Sequence, residues 1–144
     1  MIQDQVPFNV KSMLCGETRR ASHVYRYSSR PTLRRENVAE HSFYASYYSL
    51  ILAKWLCLKG QKVDFGKLLS RAILHDIDES LTGDFLRTVK YGDAAIKEGL
   101  DRLSKKFLGV VEKDLGVDLL IEWETAKDES IEGQILYLAD LLCV

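Results

Sequence analysis

Proline is nearly missing from this sequence: Pro7 and Pro31 are the only two in 144 residues, and none follows Thr32. A stretch of that length without proline suits a run of helices. Long apolar runs are missing too. Leu50–Ala53 and Trp55–Leu58 are broken by Lys54 and Lys59, and Ile135–Ala139 ends at Asp140. Nothing approaches the roughly 18 apolar residues of a membrane span, so no membrane partner is expected. Cys15, Cys57 and Cys143 are odd in number and far apart, which excludes a disulfide framework and a CxxC knuckle. Reduced thiols and a cytoplasmic location are the expectation. The opening Met1-Ile2-Gln3-Asp4-Gln5 has no basic cluster before an apolar core, so no secretory leader is expected. Repeats, low-complexity tracts, linkers and period-2 strand patterns are likewise lacking.

What is present is ordinary globular composition, 47% apolar and 28% charged. The length fits one domain over residues 1–144, large enough to bury about two thirds of its unfolded surface. The net charge of −1 argues against bulk nucleic-acid binding, but it hides an uneven distribution. Between Thr18 and Arg35 lie Arg19, Arg20, Arg26, Arg30, Arg34 and Arg35, without one acid. Such a segment reads as a solvated arm, as a nucleic-acid contact, or as a place where one or two arginines meet a phosphorylated ligand.

The first helix opens at Asn37, where Asn37-Val38-Ala39-Glu40 has the form of a capping box, and runs to about Lys59 with Gly60 as its cap. His41, Ala45, Tyr48, Leu52 and Trp55 fall on one face by helical spacing. A second helix is predicted from Asp64 to about Ser80, before Gly83. A third runs from Asp93 through Ile96, Leu100, Leu103, Phe107 and Val110 to Gly116. A short helix follows at Val117–Thr125, and the last starts near Glu129. The prediction is an all-α bundle of five to six helices.

Three histidines occur: His23, His41 and His75. His23 reads as a surface residue. A histidine on an apolar face, as at His41, is ordinarily a hydrogen-bonded core residue, and the dipeptide His75-Asp76 alone is weak. Asp76, Asp78 and Glu79 crowd the end of the predicted second helix, where carboxylates oppose the dipole and need a compensating group. Asp140 is the only charge in Ile135–Val144, and a carboxylate in such a run needs a cation or strong donors. Two imidazoles and two carboxylates on three antiparallel helices make a mixed N2O2 site, which leaves open positions on a six-coordinate ion. Glu79 lies one turn beyond His75, within reach of the same space.

His41, His75-Asp76 and Asp140 together resemble the H…HD…D signature of the HD-domain metal-dependent phosphohydrolases. Glu36-Asn37-Val38-Ala39-Glu40-His41-Ser42 is similar to the helix start of one branch. His75-Asp76-Ile77-Asp78-Glu79-Ser80-Leu81-Thr82-Gly83-Asp84, followed by Val89-Lys90-Tyr91, is similar to its "HDxxExxTGD…VKY" segment. That branch contains the bacterial 5′-deoxynucleotidases, and the likeness covers roughly Arg26 to Asp140.

The resemblance implies an HD-type fold and one divalent ion held by His41, His75, Asp76 and Asp140. N2O2 ligation suits Mn, Co, Fe, Ni or Zn, with Mg less at home beside two imidazoles. It implies Glu79 as acid/base or water-positioning residue, Asp84 near the sugar, and Arg26 and Tyr27 facing the nucleotide. The family usually has Trp at Tyr27 and prolines where this chain has Phe85-Leu86-Arg87. It also usually continues for several helical turns beyond the last Asp, whereas this sequence has four residues after Asp140. The activity it implies is release of phosphate from deoxyribonucleoside 5′-monophosphates by a homodimer. The alternatives are a deoxynucleoside triphosphohydrolase, a pyrophosphohydrolase or phosphodiesterase, and a non-catalytic nucleotide-binding domain. Cations beyond Arg26 in the pocket, with Arg19, Arg30, Arg34 and Arg35 as candidates, would favour the triphosphate.

Overall fold

Backbone capping decides where the helices of this chain begin. A computed structural model describes residues 17–28 and 31–143; Cys15 and Arg30 lie outside the described residues. A 3-10 helix, Glu17–His23, precedes seven α-helices: α1 Val38–Leu58, α2 Phe65–Leu74, α3 Glu79–Thr82, α4 Arg87–Lys90, α5 Ala94–Leu115, α6 Leu120–Glu124 and α7 Ile131–Leu141. Among the described residues there is no strand, only an isolated antiparallel bridge between Tyr25 and Asn37. No helix there is long and apolar enough to cross a membrane. The all-α architecture is the one the sequence predicts; the single turns α3 and α4 raise the helix number above five to six.

Asn37 makes both halves of the capping box with Glu40. Asp64, Asp93 and Ser130 each accept a backbone N–H of the first turn of α2, α5 and α7. Gly116 closes α5 in the left-handed conformation, at φ 65°.

The core lies where α1, α2 and α7 meet, and joins Ala53, Leu68, Ala72, Ala126, Ile135 and Leu136. Ala53 of α1 and Ala72 of α2 let these helices come close, and Ala126 adds the α6–α7 loop. Glu132 of α7 accepts the Asp64 backbone N–H at 2.9 Å and so ties α7 to the start of α2.

Three expectations need correction. On α1 the buried line is Val38, His41, Ala45, Ser49 and Ala53, while Trp55 is 55% exposed. On α5, Ser104 and Leu108 are buried, whereas Ile96, Leu103 and Val110 are 39–53% exposed. In α1 apolar residues surround the axis, so spacing gives the period but not which side is covered; in α5 they form one stripe, and that stripe stands half-exposed. The second helix also stops at Leu74 rather than near Ser80. Its backbone tightens into i→i−3 bonds, Ile77 N–H to Leu74 O and Glu79 N–H to Asp76 O, both at 3.1 Å. Glu79 therefore starts a separate turn, α3, instead of riding on the helix of His75.

Arg71 is buried on α2, 3% exposed. Its guanidinium donates to Glu122 (3.0 Å), to both Asp128 oxygens (2.9 and 3.0 Å), to Ser130 (2.9 Å) and to Thr125 (2.8 Å). One side chain thus fastens α6, the α6–α7 loop and the cap of α7. These hydrogen bonds, Arg71 first, hold the Asp128 carboxyl far below the usual range. A Cβ at Gly133 would overlap the Asp128 backbone, so α7 sits against this loop without room for a side chain.

Arg71→Met leaves the half-exposed Asp128 and Glu122 carboxylates without their cation and removes five hydrogen bonds, and is expected to cost about 2–3 kcal/mol in urea unfolding. A loss under about 1 kcal/mol, the scale of a surface pair, would show that the knot holds nothing.

Candidate metal centre

Each of three core helices brings one part of a polar cluster to a common point. His41 lies on the first turn of α1 and is wholly buried. His75 caps α2, and Asp76 follows it. Asp140 lies in the last turn of α7. One ligand atom from each of these four residues lies within 4.8 Å of the others, a set that can hold a metal ion. His41 Nε2 is 3.2 Å from His75 Nε2, 3.4 Å from Asp76 Oδ2 and 3.0 Å from Asp140 Oδ1. His75 Nε2 is 3.2 Å from Asp76 Oδ2.

Two features fit an ion at the centre. His75 Nδ1 lies 2.8 Å from the Ala72 carbonyl, which fixes a proton there and turns Nε2 toward the cluster, the nitrogen that would face an ion. Asp140 Oδ1 is buried and has no hydrogen-bond partner, while Oδ2 accepts from Lys127 Nζ at 2.6 Å. Burial pulls the His75 pKa down, but the Asp76 and Asp140 carboxylates outweigh it and lift it to about 9. Burial raises Asp76, and the adjacent His75 overcomes this and holds it well below the usual carboxylate range.

A cavity of about 210 Å3 opens beside the cluster, lined by Arg26, Tyr27, Asp76, Glu79, Asp84, Phe85, Leu86, Arg87, Lys90, Tyr91, Lys127 and Asp140. Glu79 stands at its wall with Oε2 buried and without a partner. Burial, followed by the charges of Asp76, Asp84 and Asp78, raises its pKa to about 8. Asp84 Oδ2 accepts the Tyr27 backbone N–H at 2.7 Å, bracing Tyr27 at φ 53°. The carboxylate placed near the sugar by resemblance thus has a structural bond as well. Arg26 is carried beside His41 by the Tyr25–Asn37 bridge, and its Nη1 abuts His41 Nδ1 and lies 3.8 Å from Glu36 Oε1.

All eight residues singled out in the sequence converge here. Asp78 does not join them: it is buried and accepts from Ser104 Oγ (2.8 Å) and Trp123 Nε1 (3.1 Å), so neutral donors take the place of the expected cation. Arg19, Arg34 and Arg35 do not line this cavity; the cations beside Arg26 are Arg87, Lys90 and Lys127. Glu36 was also missed as an individual residue, although it opens the motif segment and lies 3.4 Å from His41 Nδ1. No periodicity marks Lys127, whose place depends on a long-range ion pair.

A family model for "5′-deoxynucleotidase YfbR-like" proteins matches residues 15–144. The 5′-deoxynucleotidase ECA3034 of Pectobacterium atrosepticum is 27% identical over 128 residues, which cover 83% of this chain and 63% of the relative. The chain spans less than two thirds of the length of the curated relatives it matches. The fold is similar to that of an HD-domain phosphohydrolase (lin2634) from Listeria innocua, with a TM-score of 0.69 at 20% identity, covering 90% of this chain and 64% of that one. It is also similar to the cyanophage S-2L HD phosphohydrolase DatZ, solved bound to dA and one catalytic Zn2+ ion. There the TM-score is 0.53 at 20% identity, with 88% of this chain and 80% of that one covered.

His75→Ala and Asp140→Asn are each expected to weaken Co2+ binding by more than the roughly 10–100-fold that loss of an outer partner costs, measured by equilibrium dialysis. Stoichiometric Co2+ retained by His75→Ala would rule the cluster out as the ion site.

Proposed function

We propose that this chain, which belongs to the YfbR-like 5′-deoxynucleotidase family, is a metal-dependent phosphohydrolase acting on deoxyribonucleoside 5′-monophosphates. The observation that carries the reading is the ligand cluster His41, His75, Asp76 and Asp140 at one end of a cavity that also holds Glu79 and Arg26. Water and a nucleoside monophosphate give a nucleoside and inorganic phosphate. His41, His75, Asp76 and Asp140 would hold a divalent ion, which would supply Lewis acidity for a water and a phosphoryl oxygen.

The side chains do the remaining work. Glu79, with a pKa of about 8, is protonated at neutral pH and donates its proton to the leaving 5′-oxygen. Arg26 offers two parallel N–H groups to phosphate oxygens, a geometry lysine cannot match. When His41 Nε2 serves as a ligand, Nδ1 carries the ring proton and cannot accept from Arg26. Glu36 then takes that proton as acceptor and Arg26 is released toward the cavity. Asp84, with one oxygen on the Tyr27 backbone, has the other for a sugar 3′-hydroxyl, and Tyr27 packs on the sugar or base. The dA named for the cyanophage protein supports a deoxynucleoside as the organic part.

Arg87, Lys90 and Lys127 in the same cavity favour one second reading, a nucleotide with more than one phosphate. A panel of nucleoside mono-, di- and triphosphates with Mn2+ or Co2+ separates the two. Free phosphate from monophosphates supports the first, and pyrophosphate or triphosphate from dNTPs, with monophosphates ignored, replaces it.

A second copy of the chain is the proposed partner, and a cytoplasmic place fits its free Cys57 and Cys143. On α1, Tyr44, Tyr47, Ile51, Trp55 and Leu58 follow one another at three- and four-residue steps and are 37–84% exposed, an apolar stripe of the kind that marks an interface. Trp55→Glu is expected to convert the dimer to monomer in sedimentation at micromolar concentration; a wild type that sediments as monomer ends this part of the proposal.

Glu79→Gln is expected to keep Co2+ and lose about two orders of magnitude or more in turnover. Because the acid form is the working one, activity should fall as pH rises through about 8, or somewhat below it once an ion offsets the Asp76 charge. The variant should lack that limb. Wild-type turnover in Glu79→Gln would end the mechanism.

A further inference from the structure

Lys127 stands in the α6–α7 loop, three residues before the Ser130 cap of α7. Its neighbours fix it on both sides. Ala126 belongs to the core, 5% exposed, and Asp128 is gripped by Arg71 at 2.9 and 3.0 Å. A lysine on a loop so anchored is not a freely swinging surface charge. Its Nζ holds Asp140 Oδ2 at 2.6 Å, while Asp140 Oδ1 is buried, unpartnered and 3.0 Å from His41 Nε2. The carboxylate is thereby divided, one oxygen for the cluster and one for the lysine.

Lys127 also lines two cavities: the one beside the cluster, and a neighbouring one of about 520 Å3 bounded by α5 and α6. Both share Asp76, Lys90, Tyr91 and Lys127, so the lysine borders both.

We propose that Lys127 is a positioning and specificity residue: it keeps Asp140 a one-oxygen ligand and lends its charge, together with that of Arg26 in the same cavity, to the phosphate of the bound nucleotide. This rests on the phosphohydrolase reading. A fixed cation at that place acts with opposite sign on the two things the site must hold, because it repels a divalent ion and attracts a phosphate. A lysine that merely tied the loop to α7 would affect both in the same direction.

The test uses the full chain as wild type, Lys127→Met and Lys127→Arg, with two probes read by titration calorimetry. These are Co2+ added to the ion-free protein, and inorganic phosphate added to the Co2+-loaded protein. Lys127→Met is expected to bind Co2+ at least as tightly as wild type, to bind phosphate about tenfold more weakly, and to raise KM for the nucleotide more than it lowers kcat. Lys127→Arg is expected to restore phosphate affinity. Co2+ and phosphate affinity lost together in Lys127→Met, or phosphate affinity unchanged, overturns the proposal. Neither binding readout requires turnover. A wild type that binds both probes but hydrolyses no nucleotide would defeat the phosphohydrolase reading alone.

Discussion

The buried guanidinium of Arg71 is the interaction on which the geometry of the site depends. The α6–α7 loop has little apolar surface of its own to hold it: Lys127, Asp128 and Glu129 are exposed, and only Ala126 reaches the core. Arg71 pays for that loop with five hydrogen bonds, and in doing so sets where α7 begins. Asp140 sits ten residues after Ser130, nearly three helical turns along α7, so a tilt at the cap is carried to the Asp140 carboxylate. The same helix α2 bears Arg71 and, one turn later, His75. The structural anchor and one member of the cluster are thus on one helix.

The sequence announces such a fold unevenly. Helix starts were legible because capping is local: Asn37, Asp64 and Asp93 each bond a backbone N–H two or three residues on. Helix faces were less so. α1 carries Phe43, Tyr44, Tyr47, Ile51 and Trp55 on its exposed side, and its covered line includes His41 and Ser49, so hydrophobicity alone points the wrong way. The end of α2 was hidden because neither proline nor glycine marks it. The tightening after Leu74 follows from where His75 and the acids behind it find partners. The cluster itself was readable because few residue types do its chemistry, and because Asp140 is a lone charge in an apolar run. Arg71 and Lys127 were not readable. Each depends on partners 13 to 59 residues away, and a basic residue on a helix or loop carries no local sign of such a partner.

Four carboxylates fall within nine residues, Asp76 to Asp84, and the fold treats each differently. Asp78 is satisfied by a hydroxyl and an indole N–H, which binds α3 to α5 and α6. Asp84 takes the backbone N–H of Tyr27 and braces the segment that carries Arg26. Asp76 faces two imidazoles. Glu79 alone is left with a buried oxygen and no donor. A buried carboxylate without a donor avoids the cost of its charge by keeping its proton. The other three make that charge costlier still, since Asp76, Asp84 and Asp78 are the like charges nearest to it. The acidic crowding that looks unfavourable in sequence therefore keeps one carboxyl group protonated at neutral pH. Removing any of the three neighbours would disturb a structural bond and lower the Glu79 pKa together, so positioning and acidity in this cavity rest on the same residues.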